Sequence, residues 1–241
     1  METKRVKRRE PLTQWDARNE AIVNCERCPR LCAWCAAVAL EKRRAFADQT
    51  YWGKPLPNWG EPTARLLIVG LAPAAHGGNR TGRFFTGDRS GDFLFEAMHA
   101  TGFANQPQSL AKGDGLELID CAITAAAHCA PPDNKPTPVE LLACREHLAA
   151  TINLLPRLRA IVCLGRIAQD ETIRTLATLN VTPPDGRPPF GHGATVRMSN
   201  GIRLISSFHP SQQNTFTGRL TQPMLQAVFR MARGVIDRAD K

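Results

Sequence analysis

Apolar and polar positions fall in blocks along this chain. The apolar runs lie at residues 65–69 (RLLIV), 116–123, 160–164 and 203–207. Three of them are nearly continuous, the pattern of strands in a sheet buried on both faces. Helix-like spacing of apolar residues covers 91–101, 138–151, 166–179 and 222–236. The Thr137-Pro138 pair is a good helix start, with proline in the first turn. Strands alternating with helices predict an α/β fold with a parallel sheet between helical layers. In such folds ligands sit beyond the C-terminal strand ends.

Three loops follow predicted strands on that edge. The first, residues 70–88 (GLAPAAHGGNRTGRFFTGD), packs glycines, two phenylalanines, basic residues and a carboxylate together. Glycines after a strand let backbone approach a planar or phosphorylated ligand. The second, residues 131–137 (PPDNKPT), reads as a rigid loop. The third, residues 207–214 (SFHPSQQN), is polar and follows the last strand.

At 241 residues, the chain is long enough for one sizeable core. No apolar window of about 18 residues suggests a membrane span. The start, METKRVKRRE, lacks the apolar stretch of a secretory signal. Residues 1–20 are expected to form a basic arm and 21–241 a single domain in a cytoplasmic protein. The net charge of +9 suits a polyanionic partner. Without secretion, the eight cysteines are poor disulfide candidates, and metal or cluster ligation leads.

The cysteine spacing leaves two organised subsets. Cys25 and Cys28 are spaced C-x2-C, and with Cys129 and Cys144 they could make a four-thiolate site for zinc or an iron–sulfur cluster. Alternatively Cys28, Cys32 and Cys35 (CPRLCAWC) resemble the radical S-adenosylmethionine signature. The plain expectation for Cys32, Cys35, Cys121 and Cys163 is apolar packing.

Set in order along the chain, several segments resemble family 5 (type b) uracil-DNA glycosylases. They are the 70–88 loop, the run from His209 to Asn214 with TGRLT after it, CERCPRL at Cys25, CAPPDNKPTP at Cys129, and GRIA after the third strand. The resemblance implies a three-layer α/β/α sandwich around a small, mainly four-stranded parallel sheet. It implies a [4Fe-4S] cluster on Cys25, Cys28, Cys129 and Cys144; Cys32 and Cys35 depart from the family pattern. It further implies a monofunctional DNA repair glycosylase, expected to be a monomer whose partner is DNA carrying uracil or other deaminated bases such as hypoxanthine. A non-catalytic iron–sulfur DNA-binding protein is the alternative of a different class.

The resemblance also assigns roles. A base in a duplex must flip into a pocket before its N-glycosidic bond can be cut, and the leaving base gathers negative charge. His209 is the expected donor at the base. Ala72 stands where many uracil glycosylases carry an acidic or amide residue, so Asp88 is expected to serve the water or sugar cation. Asp88 is also an ordinary helix-cap residue by type. Asn134 is expected to help place the water. Phe85 is expected to stack on the base, with His76 and Asn79 lining the pocket. Ser211, Gln212, Asn214, Arg219, Arg80 and Arg83 are expected to contact DNA.

Overall fold

A computed structural model describes residues 12–238. Its helices and strands follow in chain order as α1 Gln14–Val23, α2 Pro29–Glu41, β1 Trp59–Gly60, β2 Leu66–Gly70, α3 Gly78–Thr81, α4 Arg89–Ala100, β3 Cys121–Ala125, α5 Pro138–Asn153, β4 Ala160–Leu164, α6 Arg166–Thr178, β5 Thr195–Arg197, β6 Arg203–Ser207, α7 Gln212–Phe216 and α8 Gln222–Arg238. The strands make one six-stranded sheet in the order β1-β3-β2-β4-β6-β5. The inner strands β3, β2, β4 and β6 run parallel, and the edge strands β1 and β5 pair antiparallel. The expected four-stranded parallel sheet is thus the centre of a wider, mixed sheet. The edge strands are two and three residues long, too short to give a periodic signal.

Strand alternation divides the core into two layers. Leu66 and Ile68 of β2 face α4 and α8, packing with Phe95, Met98, Val228 and Phe229. Leu67 and Val69 face the other way, against Trp15, Leu148, Ile152 and Leu176 of α1, α5 and α6. Burial on both faces is why β2, β3 and β4 read as continuous apolar runs.

Two expectations shift. The run 116–123 enters the sheet only at Cys121, because Asp120 takes a left-handed φ of 57° and its carboxylate accepts from the backbone and guanidinium of Arg65. Residues 14–20 belong to helix α1, capped by Thr13 and anchored by buried Trp15, so the boundary expected at residue 20 falls inside an ordered element. The arm's first eleven residues lie outside the described ones. No described helix is long and apolar enough to cross a membrane.

The chain leaves β2 toward β3 on one side and places β4 on the other. The loop after Gly70 therefore opens where the strand order reverses, the usual ligand crevice of such sheets.

Candidate functional site

The three loops converge there. A cavity of about 430 Å³ is lined by Gly70, Ala72, Phe85 and Asp88 from the first loop, Asn134 from the second, and His209, Ser211 and Gln212 from the third. Its remaining wall is largely apolar, with Leu71, Pro73, Ala74, Phe84 and Ala125.

Phe85 sits in the left-handed region at φ 50°, uncommon for an aromatic residue. That turn brings its ring over the end of β2. A Cβ at Gly70 would lie 3.0 Å from Phe85 Cζ, so a side chain there would press the Phe85 ring aside by a few tenths of an ångström. The Phe85 and His209 rings face each other at 6.1 Å between centroids, tilted by 36°. Phe84 points into the core, 2% exposed, with its edge toward His128.

Asp88 does two things at once. Its Oδ1 accepts the amide proton of Gly91 at 3.0 Å, capping α4. Its carboxylate also lines the cavity. Burial raises its pKa, against the amides of Gly91 and Ser90 that lower it. Burial likewise pushes the His209 imidazole down to about 4, so it is neutral at physiological pH. Asn134 ends a short 3₁₀ turn, Pro132–Asn134, with a φ of 55°. It is exposed, reaching the rim from outside.

Several expected site residues hold the loops instead. Arg80 is 8% exposed; its guanidinium donates to the carbonyls of His76 and Gly87 and to Gln49. Arg83 is 7% exposed and forms a two-pronged pair with Asp114 at 2.9 and 2.7 Å. Neither can reach a phosphate without breaking these contacts. Asn79 is fully buried and donates to the Cys35 carbonyl, away from the cavity. His76 meets the Tyr51 hydroxyl at 3.1 Å and is not part of the cavity lining. Asn214 donates at 2.8 Å to the carbonyl of His209, fixing the third loop from behind. Arg219 is exposed, with its guanidinium 4.6 Å from the Phe208 ring.

Other residues at the site carry no signal that singles them out in the sequence. Arg89 and Gln213 complete the rim. Phe216, 67% exposed at the end of α7, lies beneath the Arg89 guanidinium at 5.3 Å. An exposed aromatic three residues past Gln213 is invisible until α7 turns it outward.

A second, smaller pocket gathers Cys25, Cys28, Cys32, Cys129 and Cys144 with His128 and His147. Helices α2 and α5 are clamped around it by Arg27–Glu146 at 2.6 Å and by Arg30 bridging both oxygens of Glu140 at 2.7 and 2.8 Å. Glu140 in turn closes the capping box with Thr137. The backbone amide of His128 donates to Cys144 Sγ at 3.4 Å. Burial pushes Cys144 up to about 12. Cys32 is therefore part of this pocket and not a core packing residue. Cys35 is fully buried, its thiol on the Ala130 carbonyl, while Cys121 and Cys163 pack in the two core layers as expected.

Residues 57–233 match the family model of the uracil DNA glycosylase superfamily. The chain is 53% identical over 216 residues to a Type-5 uracil-DNA glycosylase of Mycobacterium bovis, covering 89% of this chain and 79% of that one. It is 45% identical over 214 residues to the Type-5 uracil-DNA glycosylase of Thermus thermophilus, covering 89% and 94% of the two chains. A Type-4 uracil-DNA glycosylase of Archaeoglobus fulgidus is 31% identical over 157 residues, 65% of this chain and 70% of that one. An α/β sheet with three loops converging at its switch point, matched over nearly its whole core, thus places this chain in the uracil-DNA glycosylase superfamily, among the type-5 members.

Proposed function

We propose that this protein hydrolyses the N-glycosidic bond of uracil in DNA, and of other deaminated bases including hypoxanthine, as a monofunctional glycosylase that starts base excision repair. The observation that carries the reading is the meeting of Phe85, Asp88, Asn134 and His209 around one cavity from three separate loops. A flipped base enters between Phe85 and the third loop, with the aromatic ring supplying a stacking face. Neutral His209 donates to the base oxygen as negative charge grows on the leaving group, in a site where water is scarce. No described group hydrogen-bonds its imidazole, so both ring nitrogens are available to a ligand. The Asp88 carboxylate, with Ala72 leaving space beside it, stabilises the sugar cation and orients the attacking water together with Asn134.

The apolar wall favours breadth. Sites built from hydrogen-bonding groups reject analogues strongly, whereas apolar ones discriminate weakly. Leu71, Pro73, Ala74 and Ala125 offer nothing that would exclude a bicyclic base. At the cavity rim Ser211 and Gln212, and beyond it Arg219, present polar and cationic groups to the strand, and exposed Phe216 suits wedging between base steps.

The cysteine pocket fits an iron–sulfur cluster. Its cysteine donors come from the segment leading into α2, the start of the loop after β3, and α5. Among the described residues no three metal-binding side chains are gathered tightly enough for a single ion. A soft, all-thiolate donor set of four cysteines suits an iron–sulfur cluster. Cys25, Cys28, Cys129 and Cys144 would hold it. When bound, it cross-links the segments that begin the Asn134 loop; it supplies no step of the hydrolysis.

The test is a duplex with a single G·U pair, incubated with the protein and then treated with alkali. Cleavage at uracil only after alkali is expected, since a monofunctional glycosylase leaves the strand whole. An unbroken strand with DNA still bound would instead make the protein a non-catalytic DNA binder.

A further inference from the structure

We infer that His147 donates its Nε2 hydrogen to a sulfur of the iron–sulfur group held in the cysteine pocket, an inference that rests on the cluster reading above. The tautomer follows from its neighbour. Arg18 Nη1 lies 3.3 Å from His147 Nδ1. A guanidinium has donors only, so Nδ1 must accept and the ring hydrogen sits on Nε2. His147 is 3% exposed, and burial pushes its pKa down to about 4, which keeps the ring neutral.

The Nε2 atom is buried and has no hydrogen-bond partner among the described residues. Buried donors are almost always satisfied, so an orphan at a pocket wall points to a missing acceptor. The pocket offers few. Arg27 is itself a donor, engaged with Glu146. His128 is satisfied on both sides: its Nδ1 meets the Leu56 carbonyl at 2.6 Å, so it donates there, and its Nε2 is left to accept from the Thr124 hydroxyl at 3.5 Å. Among the side chains that line the pocket, what remains is sulfur. The same pocket already contains one such contact, from the His128 amide to Cys144 Sγ.

The two histidines thus differ in kind. His128 supports the pocket from the core side with no ring hydrogen to spare for it. His147, which lines the same pocket, holds one that is buried and unpartnered, and Arg18 of α1 fixes which nitrogen carries that hydrogen. Hydrogen bonds to the sulfurs stabilise the more negative, reduced state of a cluster and so raise its reduction potential.

The experiment uses the full chain purified without oxygen. Iron, acid-labile sulfide and midpoint potential are measured for wild type, His147→Phe, His147→Gln and Arg18→Met. Removing the donor in His147→Phe is expected to move the potential to more negative values with iron and sulfide retained. His147→Gln, which keeps an N–H, should restore part of the shift, and Arg18→Met should give a smaller shift of the same sign. An unchanged potential in cluster-loaded His147→Phe overturns the inference. Should that variant fail to load, pulsed electron paramagnetic resonance on reduced wild type labelled with ¹⁵N-histidine decides. Coupling to an imidazole nitrogen is expected, and its absence sinks the assignment. A wild-type protein without iron and sulfide would remove the cluster reading itself, and the inference with it.

Discussion

Gly77 and Asp88 are packed so closely that a Cβ on Gly77 would come within 2.1 Å of Asp88 Oδ2. The glycine leaves room for the carboxylate, and the Gly91 amide holds its other oxygen. Gly77→Ala should therefore push the carboxylate out of place while leaving the core layers untouched. A displacement of about 1 Å can lower a rate by about 10²-fold. Single-turnover excision should fall by that order, with DNA affinity near wild type. An alanine variant as fast as wild type would show that the position of Asp88 does not matter to the chemistry.

The same carboxylate and the opposing imidazole set the pH response. Asp88 must be ionised to act, and burial raises its pKa from the ordinary aspartate value. Excision should fall with decreasing pH as Asp88 gains its proton, beginning at higher pH than for an exposed aspartate. His209 titrates at about 4, so it remains neutral over the physiological range and adds no loss near its usual 6.5. Asp88→Asn should flatten this acid limb and lower the rate by about 10²–10⁴-fold. His209→Ala should lower it by about 10²–10³-fold, the scale for one transition-state donor, while keeping the limb. A limb that persists in Asp88→Asn would assign it to another group.

The central fold was legible because its strands are buried on both faces and helices α4 and α8 are amphipathic. Strands β4 and β6 begin and end at the residues that hydrophobicity marks, 160–164 and 203–207. Helix α1 was hidden by its polar sequence: only Trp15 and Ile22 are buried among its ten residues. That Asp88, Asn134, Phe85 and His209 share one sheet edge was readable from their loops, while their roles rest on the family resemblance. The arginines were not readable. A sequence gives Arg80, Arg83 and Arg219 the same charge. Only the fold reveals that Arg80 meets carbonyls, that Arg83 meets a carboxylate, and that Arg219 meets solvent and an aromatic face.

The neighbouring phenylalanines should fail in different ways. Phe85 faces the cavity, so Phe85→Ala removes a stacking surface worth about 1–3 kcal/mol per base. Its kcat/KM should drop roughly tenfold or more, with thermal stability little changed. Phe84 is 2% exposed in the core, and Phe84→Ala should destabilise the fold by about 3–5 kcal/mol. Paired melting and kinetic measurements separate the two. Equal losses of stability would deny Phe85 its role as a cavity residue.

Arg219 and Arg83 offer a similar contrast for charge. Arg219→Ala should weaken DNA binding with little regard to sequence and reduce the salt dependence of log K by about one contact. Titrations at several salt concentrations read this directly. Arg83→Ala strips the partner from Asp114. Burial works to raise that carboxyl, yet Arg83 and the amides of Leu116, Leu110 and Ala111 hold it well below the usual carboxylate range. Leaving it unpaired should destabilise the protein by about 3–5 kcal/mol. Unfolding by denaturant should reveal this, and an unchanged salt slope would keep Arg83 away from DNA.

Cys129 begins the segment that carries Asn134, and Cys144 sits one turn past the first turn of α5, so a cluster bridging them to Cys25 and Cys28 would brace the Asn134 loop at both ends. Cys129→Ala and Cys144→Ala should each lose iron and sulfide, lower the melting temperature, and slow excision through the loosened loop. Cys163→Ala should keep full iron content, because that thiol lies fully buried against α6, on the Thr172 hydroxyl, and is not part of the cysteine pocket. Cys32 and Cys35 decide between the two sulfur arrangements. Cys32 lines the pocket and Cys35 sits behind it, on the Ala130 carbonyl. Serine at either position should leave the iron in place if the four-cysteine set is correct. The opposite pattern, iron lost from Cys32→Ser and Cys35→Ser but retained in Cys129→Ala, would transfer the cluster to the three cysteines of the CPRLCAWC helix and strip the Asn134 loop of its brace.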